Sequence, residues 1–386
     1  MNASLTIRKV ESQADYRAFF EFPWTLYKDD PYWTPPLLSM RRDLLDQKKS
    51  PSWEYMEGDY FTAWRGDRLV GTITAFVNHR HNEFRKEHIG WFGTFEVYDD
   101  QEAATALLNT AAGWVQERGY DAIRGPQSFT THEECGLLVD GFVRPVLLMP
   151  YNPPYYQQLL ETAGFSKAMD VYSFYVDRDG IVNAKETQRI ARLTERIMQR
   201  NKITIRPLDT KRKKEEFALF KEIYNAAWDE NWGFVPMTPR ELDALVDSLG
   251  QFVEPKLALF AEVDGDPAGF IMAVPDFNQV LRKIYPRPGV PEAVSLLQAL
   301  WYWKLKPSIT WIRIPLMGVK HEYRNMGVDA SMYYHMTQSI IKHTTYQYSD
   351  SGWILESNDN MVSIAKNLGT TIYKTHRFYE KGLKAT

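Results

Sequence analysis

A short turn in the second half of the chain carries residue types suited to binding an anion. Arg324 and Gly327 follow a β-rich run that ends at Val319, and an amphipathic helical pattern comes directly after them. The free N–H groups of a new helix point together, and the helix dipole favours negative charge there. Gly327 allows close backbone approach, and Arg324 supplies positive charge. The pattern predicts a phosphate cradle, with an ordinary strand-to-helix loop as the alternative.

Candidates for a general base lie close to this turn in the sequence. Glu356 comes at the end of the next predicted strand, and His321 and Glu322 lie in the turn itself. A carboxylate or imidazole at such a position can take a proton from an attacking nucleophile. Glu356 is our first choice, and a carboxylate that caps the next helix or pairs with Arg377 is the alternative.

The elements that must position these residues alternate between strands and helices. A strand over 310–319 leads through the turn into a helix, and a strand over 352–356 leads into a helix that closes at Gly369. The first half has the same order, with strands over 89–97 and 120–125 and a helix that closes at Gly164. Glycine is common just after the last turn of a helix, which supports both boundaries.

An internal repeat links the two halves. Thr6-Ile7-Arg8 recurs as Thr204-Ile205-Arg206, and Gly71 precedes Gly269 by the same 198 residues. Each half opens with a strand, a helix and a hairpin. We predict an α/β (mixed α+β) chain in which each half is a mostly antiparallel mixed sheet flanked by helices. The predicted domains are 1–178 and 203–386, joined by a helical linker at 179–202.

The turn and the block after it resemble the GNAT (N-acetyltransferase) superfamily. Val319, Arg324 and Gly327 match its acyl-CoA signature, whose last position is Gly or Ala; Asp329 stands there, followed by Ala330. The resemblance implies that an acyl-CoA donor, acetyl-CoA or longer, binds at this turn, with no metal. The donor-binding residues that it implies are Met317, Gly318, Val319, Arg324, Asn325, Met326, Gly327, Val328, Asp329, Ala330 and Asn358.

One residue of the superfamily pattern is missing. Many members place a tyrosine seven residues after the asparagine that matches Asn358, and its hydroxyl protonates the leaving CoA thiolate; Ala365 occupies that position here. Tyr373, Tyr379 or solvent could replace it, because a thiolate with a pKa near ~8.5 leaves without full protonation. The resemblance thus implies an acyl-CoA-dependent N-acyltransferase with Glu356, Tyr373 and His321 as its catalytic candidates.

The first half lacks the cradle. Its matching strand runs into Asp99 and Asp100 with neither Arg nor Gly, and two acids repel phosphates, so we expect no donor there. The long segment that follows resembles a bacterial family of tandem GNAT-like proteins with shared Gly-Pro, Gly-Leu-Leu-Val-Asp-Gly-Phe and Tyr-Asn-Pro stretches. Its candidate substrate residues are His132, Glu133 and Tyr151, and the alternative for each is a solvated loop.

The second half also carries an insert. Gly269 to Gly318 spans 49 positions, whereas Gly71 to Gly93 spans 22, so the insert has about 27 residues. It contains an apolar helical face that ends near Trp301. Either this face packs on the sheet as core, or it forms a lid or pocket with Trp301 for a long acyl chain or lipid-like amine, in contact with a membrane surface.

Composition limits the remaining possibilities. The net charge is −3, from 46 Lys and Arg against 49 Asp and Glu, which argues against nucleic acid as a partner. A single cysteine, Cys135, and a polar N-terminal stretch favour the cytoplasm. The acceptor is then a small or lipid-like amine. A non-catalytic binding module, a lipid-amine N-acyltransferase that uses long-chain acyl-CoA and an aminoacyl-tRNA-dependent transferase are the alternatives.

Overall fold

The structure, a computed structural model, describes residues 4–179, 185–228, 231–250, 253–367 and 369–383. Residue contacts group the chain into two compact units. The first unit holds the chain up to Val171, then Asn278–Pro307 and the residues from Lys374 onward; the second holds Tyr172–Phe277 and Ser308–Tyr373. This grouping differs from the sequence repeat, whose boundaries at 178 and 203 stay a prediction.

Strands and helices are labelled in chain order. The strands are β1 (Leu5–Lys9), β2 (Met56–Arg65), β3 (Arg68–Asn78), β4 (Ile89–Val97), β5 (Ala122–Gly125), β6 (Leu137–Asp140), β7 (Ser166–Asp177), β8 (Ile203–Pro207), β9 (Ala258–Val263), β10 (Asp266–Pro275), β11 (Trp311–Val319), β12 (Tyr348–Leu355) and β13 (Thr371–Gly382). The α-helices are α1 (Gln13–Leu26), α2 (Leu38–Leu45), α3 (His79–Arg85), α4 (Gln101–Glu117), α5 (Tyr156–Thr162), α6 (Lys185–Asn201), α7 (Lys213–Ala227), α8 (Pro239–Gly250), α9 (Asn278–Ile284), α10 (Glu292–Leu300), α11 (Val328–His343) and α12 (Asp359–Asn367).

Each unit contains the same arrangement of strands. In the first, β1, β2, β3 and β4 are successive antiparallel neighbours, and β5 joins β4 in parallel. In the second, β8, β9, β10 and β11 are successive antiparallel neighbours, and β12 joins β11 in parallel. Helix α4 leads from β4 to β5, and α11 leads from β11 to β12. The predicted fold class, mostly antiparallel mixed sheets flanked by helices, is confirmed.

The last strand behaves in a way that the repeat does not predict. Residues of β13 pair antiparallel with β5, from Tyr379↔Gly125 to Gly382↔Ala122, and with β6. β13 therefore adds a strand to the sheet of the first unit. Only its first three residues, up to Tyr373, belong to the second unit.

Helices α4 and α11 show how the sequence pattern creates the two cores. On α4, side chains with no exposed surface recur every three or four residues, among them Ala104, Leu107 and Ala111. A β-carbon at Gly71 would lie 2.7 Å from Leu107 Cδ1, so glycine lets α4 pack close to β3. Val328, Met332 and Met336 are buried in the same way on α11. Within the described residues, no helix is long and apolar enough to cross a bilayer.

Candidate functional site

The second unit has a wedge between two parallel strands. β11 and β12 pair from Trp311↔Tyr348 to Ile314↔Ser351, and the described residues show no further pair between them. Pro315 comes next, and proline has no N–H to donate to a strand ladder. On its other edge β11 stays paired with β10, from Ile312↔Pro275 to Val319↔Gly269. Strands that separate in this way leave an opening in which a ligand can reach the middle of the sheet.

The predicted anion-binding turn lies at the open end of this wedge, directly after β11. After β11, a 3₁₀ turn over His321–Tyr323 leads to two residues with left-handed backbone, Asn325 (φ 63°) and Gly327 (φ 82°). α11 starts at Val328 without a side-chain cap. Within the described part of the chain, the N–H groups of Val328 and Asp329 have no hydrogen-bond acceptor. Two free donors at a helix N-terminus can bind the oxygens of a diphosphate.

Asp329 is the residue that departs from the superfamily signature, and it has a local role. Its Oδ1 accepts a hydrogen bond of 2.8 Å from the Ala330 N–H. Its carboxylate therefore takes one donor of the first turn of α11. An acidic residue in the first turn of a helix is also stabilised by the helix dipole.

Two neighbouring elements hold the turn in place. Arg324 Nη2 donates a hydrogen bond of 2.9 Å to the carbonyl oxygen of Ala227, the last residue of α7. A β-carbon at Gly318 would lie 2.6 Å from the Ala227 β-carbon, so glycine allows the end of α7 to approach β11. Part of the Arg324 guanidinium thus caps α7, which the signature alone does not reveal.

The predicted linker helix α6 supports the turn from another side. Asn201 Nδ2 donates a hydrogen bond of 2.7 Å to the carbonyl oxygen of Met326. A β-carbon at Gly327 would lie 2.6 Å from Ile197 Cγ2. The helical linker predicted at 179–202 contains this helix from Lys185, and residues 180–184 lie outside the described residues. This helix packs on the turn, a role that its charged sequence does not indicate.

The candidate catalytic residues occupy different places in the second unit. His321 is exposed in the turn after β11, and Glu356 is half-buried directly after β12. Because the two strands are parallel, both turns lie at the same edge of the sheet. Asn358 Oδ1 accepts a hydrogen bond of 3.1 Å from the Met361 N–H, so its side chain caps α12. The catalytic roles of Glu356, His321 and Tyr373 stay predictions.

A buried ion pair at the closed end of the wedge is a feature that the sequence analysis missed. Arg313 and Asp350 are cross-strand neighbours with 2% and 0% of their surface exposed, and Arg313 Nε lies 3.2 Å from Asp350 Oδ1. The Tyr373 hydroxyl donates a hydrogen bond of 2.8 Å to Asp350 Oδ2. Burial and the Asp350 charge raise the pKa of Tyr373 well above its usual range. Arg313, a charged residue inside the strand predicted over 310–319, was the available signal, because Asp350 precedes the strand predicted over 352–356.

An open cleft extends from the wedge along α11, and its volume is about 920 Å³ when the space open to solvent is included. Ile314 and Ser351, the last paired residues of β11 and β12, both contribute to its wall. The wall is mainly apolar and aromatic, and it includes Val176, Tyr333, Ile340, Ile341, Tyr346 and Ala365. Ala365, at the position where the superfamily pattern has tyrosine, is buried beside this space. The cleft can hold an extended apolar group.

The corresponding region of the first unit is closed. Asp100 accepts a hydrogen bond of 3.0 Å from the Ala103 N–H and pairs with Arg65 at 2.8 and 2.9 Å, so a carboxylate occupies the N-terminus of α4. A β-carbon at Gly93 would lie 1.9 Å from the Gln127 carbonyl oxygen, which shows that the chain after β5 fills the space beside β4. Our expectation that no donor binds there stays a prediction, now with a steric reason.

The predicted substrate residues all lie in the first unit. Glu133 Oε2 accepts a hydrogen bond of 3.3 Å from the Thr130 N–H, and the His132 N–H donates one of 3.3 Å to Thr130 Oγ1. The Tyr151 hydroxyl donates a hydrogen bond of 2.8 Å to Asp30. Trp301 is 52% exposed at the end of α10. Their substrate roles stay predictions.

The first unit also contains a buried acid, Glu96, that the sequence analysis missed. Glu96 on β4 accepts hydrogen bonds from the hydroxyls of Tyr27 and Tyr156, at 2.6 and 3.0 Å. Burial raises the pKa of Glu96 to about 7, and the Tyr27 hydrogen bond and the Arg41 charge offset only part of this rise. Arg41 Nη2 is itself buried without a hydrogen-bond partner among the described residues. An acid in an apolar strand pattern was the only signal.

Comparison with known proteins identifies the family. No family model matches the sequence. Two proteins match nearly the whole chain: bacterial ceramide synthase of Caulobacter vibrioides, with 33% identity over 99% of this chain and 98% of that protein, and protein YghO of Escherichia coli, with 31% identity over 97% and 95%. The chain belongs to their family.

A solved structure has the same fold as this chain. A tandem GNAT protein from the clavulanic acid biosynthesis pathway matches with a TM-score of 0.54 and 10% identity, over 99% of this chain and 100% of its own. At that identity the likeness shows the fold alone. The predicted tandem GNAT fold and the predicted class, an N-acyltransferase enzyme, are confirmed.

Proposed function

We propose that this protein transfers a long acyl chain from acyl-CoA to the primary amine of a long-chain amino alcohol and releases an N-acyl amide and free CoA. The observation that carries the proposal is the match to bacterial ceramide synthase across 99% of this chain. A ceramide is the amide of a long-chain acid with such an amino alcohol. Among the functions considered from the sequence, this is the lipid-amine alternative rather than transfer of an acetyl group.

The turn before α11 supports acyl-CoA as the donor. The free N–H groups of Val328 and Asp329 can hold the diphosphate of CoA, with Arg324 nearby. The pantetheine arm then has a route into the wedge beyond Ile314 and Ser351, where it can add its own amide hydrogen bonds to the unpaired strand edges.

The cleft below the wedge supports a long acyl chain. Its wall follows α11 from Tyr333 to Ile341, and these nine residues rise about 12 Å along the helix. The small side chain of Ala365 helps to keep this space open. A chain buried there contributes roughly 0.8 kcal/mol of binding free energy per methylene group.

The chemistry requires one proton to leave the amine and one to reach the thiolate. Glu356 takes the proton from the attacking amine as its nitrogen forms a bond to the thioester carbonyl carbon. The carbon–sulfur bond then breaks and CoA leaves as a thiolate. Because the pKa of its thiol is about 8.5, the thiolate then takes a proton from solvent or a nearby acid. The Tyr373 hydroxyl is a poor source, because it is bonded to Asp350 and its pKa is raised.

The test is a donor and acceptor survey with the full-length protein. Palmitoyl-CoA, octanoyl-CoA and acetyl-CoA are each incubated with sphinganine or with a short water-soluble amine, and the amide is measured by mass spectrometry alongside the release of CoA thiol. We expect the amide only with the long-chain amine, at a rate that rises with acyl length. Equal rates with acetyl-CoA, or transfer to the short amine alone, would contradict the proposal.

A further inference from the structure

Helix α10 and the π-helical turn after it, Trp301–Leu305, form an outward-facing apolar surface on the first unit. Five large side chains on this segment are at least half exposed: Leu296 (50%), Leu297 (70%), Leu300 (51%), Trp301 (52%) and Leu305 (69%). We call these five residues the docking surface. Single exposed leucines are ordinary, but a contiguous set of this kind marks a site of interaction.

The opposite side of the segment is fixed to the first unit. Ser295 and Ala299 are buried, and Glu292 Oε1 accepts hydrogen bonds from the N–H and hydroxyl of Ser39, at 3.0 and 2.6 Å. Before the helix, Trp24 Nε1 donates a hydrogen bond of 2.6 Å to the Pro286 carbonyl oxygen. The small residues face inward and the large apolar residues face solvent. This is the reverse of an ordinary surface helix, so the exposure reflects how the helix is anchored.

The charged side chains at the C-terminal end of the docking surface are positive. Lys304 and Lys306 are exposed at its end, and no Asp or Glu occurs between Glu292 and Glu322. Lys304 Nζ lies 3.8 Å from the Trp303 ring centroid, and Lys283 Nζ lies 5.4 Å from that of Tyr302. Aromatic rings beside lysines, next to exposed leucines, are typical of residues at a bilayer interface, where ammonium groups contact lipid phosphates.

We propose that the docking surface inserts into the interface of an anionic lipid bilayer, with α10 in the membrane plane and Lys304 and Lys306 on lipid phosphates. α10 has nine residues, about 13 Å of helix, so it lies on the bilayer and does not cross it. The proposal rests on exposure and charge, and it stands independently of the acyl acceptor. It also brings the enzyme to the membranes in which such substrates reside.

The experiment is co-sedimentation of the full-length protein with vesicles of phosphatidylcholine alone or with about 30% phosphatidylglycerol added. The anionic lipid gives the vesicle a negative surface potential, which attracts lysine side chains that lie within a Debye length of it. We expect binding to the mixed vesicles, weaker binding to phosphatidylcholine and weakening by salt. The double variant Leu297→Glu/Leu305→Glu should lose at least about tenfold in vesicle affinity. Its matched control is Leu193→Glu, which alters a leucine that is 57% exposed on α6 and should bind as the wild type does.

Further outcomes separate this proposal from others. Lys304→Glu/Lys306→Glu should remove the preference for phosphatidylglycerol. All variants are checked for folding by thermal melting, since every changed side chain is exposed. Activity on detergent-dispersed substrates should survive in the Leu297/Leu305 variant, so a failure of catalysis and a failure of docking are distinguishable. The proposal would be overturned if the protein did not bind the mixed vesicles, or if the double variant bound them as well as the wild type does. It would also be overturned if analytical ultracentrifugation showed that the docking surface joins two copies of the chain.

Discussion

Replacing Gly327 by alanine tests how the donor turn is built. The residue has φ of 82°, and the added β-carbon would lie 2.6 Å from Ile197 Cγ2. The left-handed backbone alone costs an L-residue about 1–2 kcal/mol. The contact with Ile197, which packs against the core of the second unit, adds an overpacking cost of about 1–3 kcal/mol. We therefore expect urea unfolding to show a loss of about 2–5 kcal/mol in the second unit.

The double variant Ile197→Ala/Gly327→Ala is the matched control. It should recover the overpacking share, a coupling of about 1–3 kcal/mol between the two sites, while the backbone cost remains. Because the N–H groups of Val328 and Asp329 shift with the turn, acyl-CoA should bind Gly327→Ala at least about tenfold more weakly by calorimetry, or ~1.4 kcal/mol. Additive unfolding energies, or unchanged acyl-CoA affinity in Gly327→Ala, would refute this account of the turn.

The other predictions concern the cleft, the buried acids and the base. Thr337 lines the cleft, and a tryptophan there would fill part of the space for the acyl chain. Thr337→Trp should therefore shift the preferred donor toward shorter acyl-CoA, whereas Thr337→Ser should keep the chain-length profile of the wild type. The pKa of Glu96 is about 7 in the folded protein and 4.5 in an ordinary environment, so the protein loses stability as pH rises between these values. In urea unfolding, Glu96→Gln should therefore be as stable as wild type at pH 4 and more stable by up to ~3 kcal/mol at pH 8. Equal stability of the two proteins at pH 8 would count against a buried acid at this position. Tyr373→Phe should lower the free energy of unfolding by about 1.5–3 kcal/mol with little change in kcat, because the hydroxyl is bonded to Asp350. Glu356→Gln should lower kcat by ~100-fold. The reverse pattern would indicate that Tyr373 is the acid that protonates the CoA thiolate.

Local patterns predicted most of the individual elements. The strand over 89–97 matches β4 at both ends, because its residues form one apolar run bounded by polar turns. The strand predicted over 352–356 is β12, which begins earlier, at Tyr348. Its first four residues are polar or aromatic, and they are extended because they pair with Trp311 to Ile314 on β11. That partner is distant in sequence, so local pattern does not contain it.

Long-range pairing and the direction of a helix face were beyond the sequence. The partners of β13 in the first unit are set by tertiary packing, and a sequence repeat does not show which strands this strand pairs with. Periodicity revealed the apolar face of α10, but it cannot tell whether protein or solvent covers that face. Arg313 was visible as a charge in a predicted strand, but Asp350 lies before the strand predicted over 352–356, and only the cross-strand register shows that the two residues pair.

A structure of the protein with palmitoyl-CoA bound would test the central claim most directly. The account predicts diphosphate oxygens within hydrogen-bond distance of the Val328 and Asp329 N–H groups, and the acyl chain in the cleft between Ile314 and Ile341. Palmitoyl-CoA bound at the N-terminus of α4 in the first unit, or bound at α11 with its acyl chain outside the cleft, would contradict it.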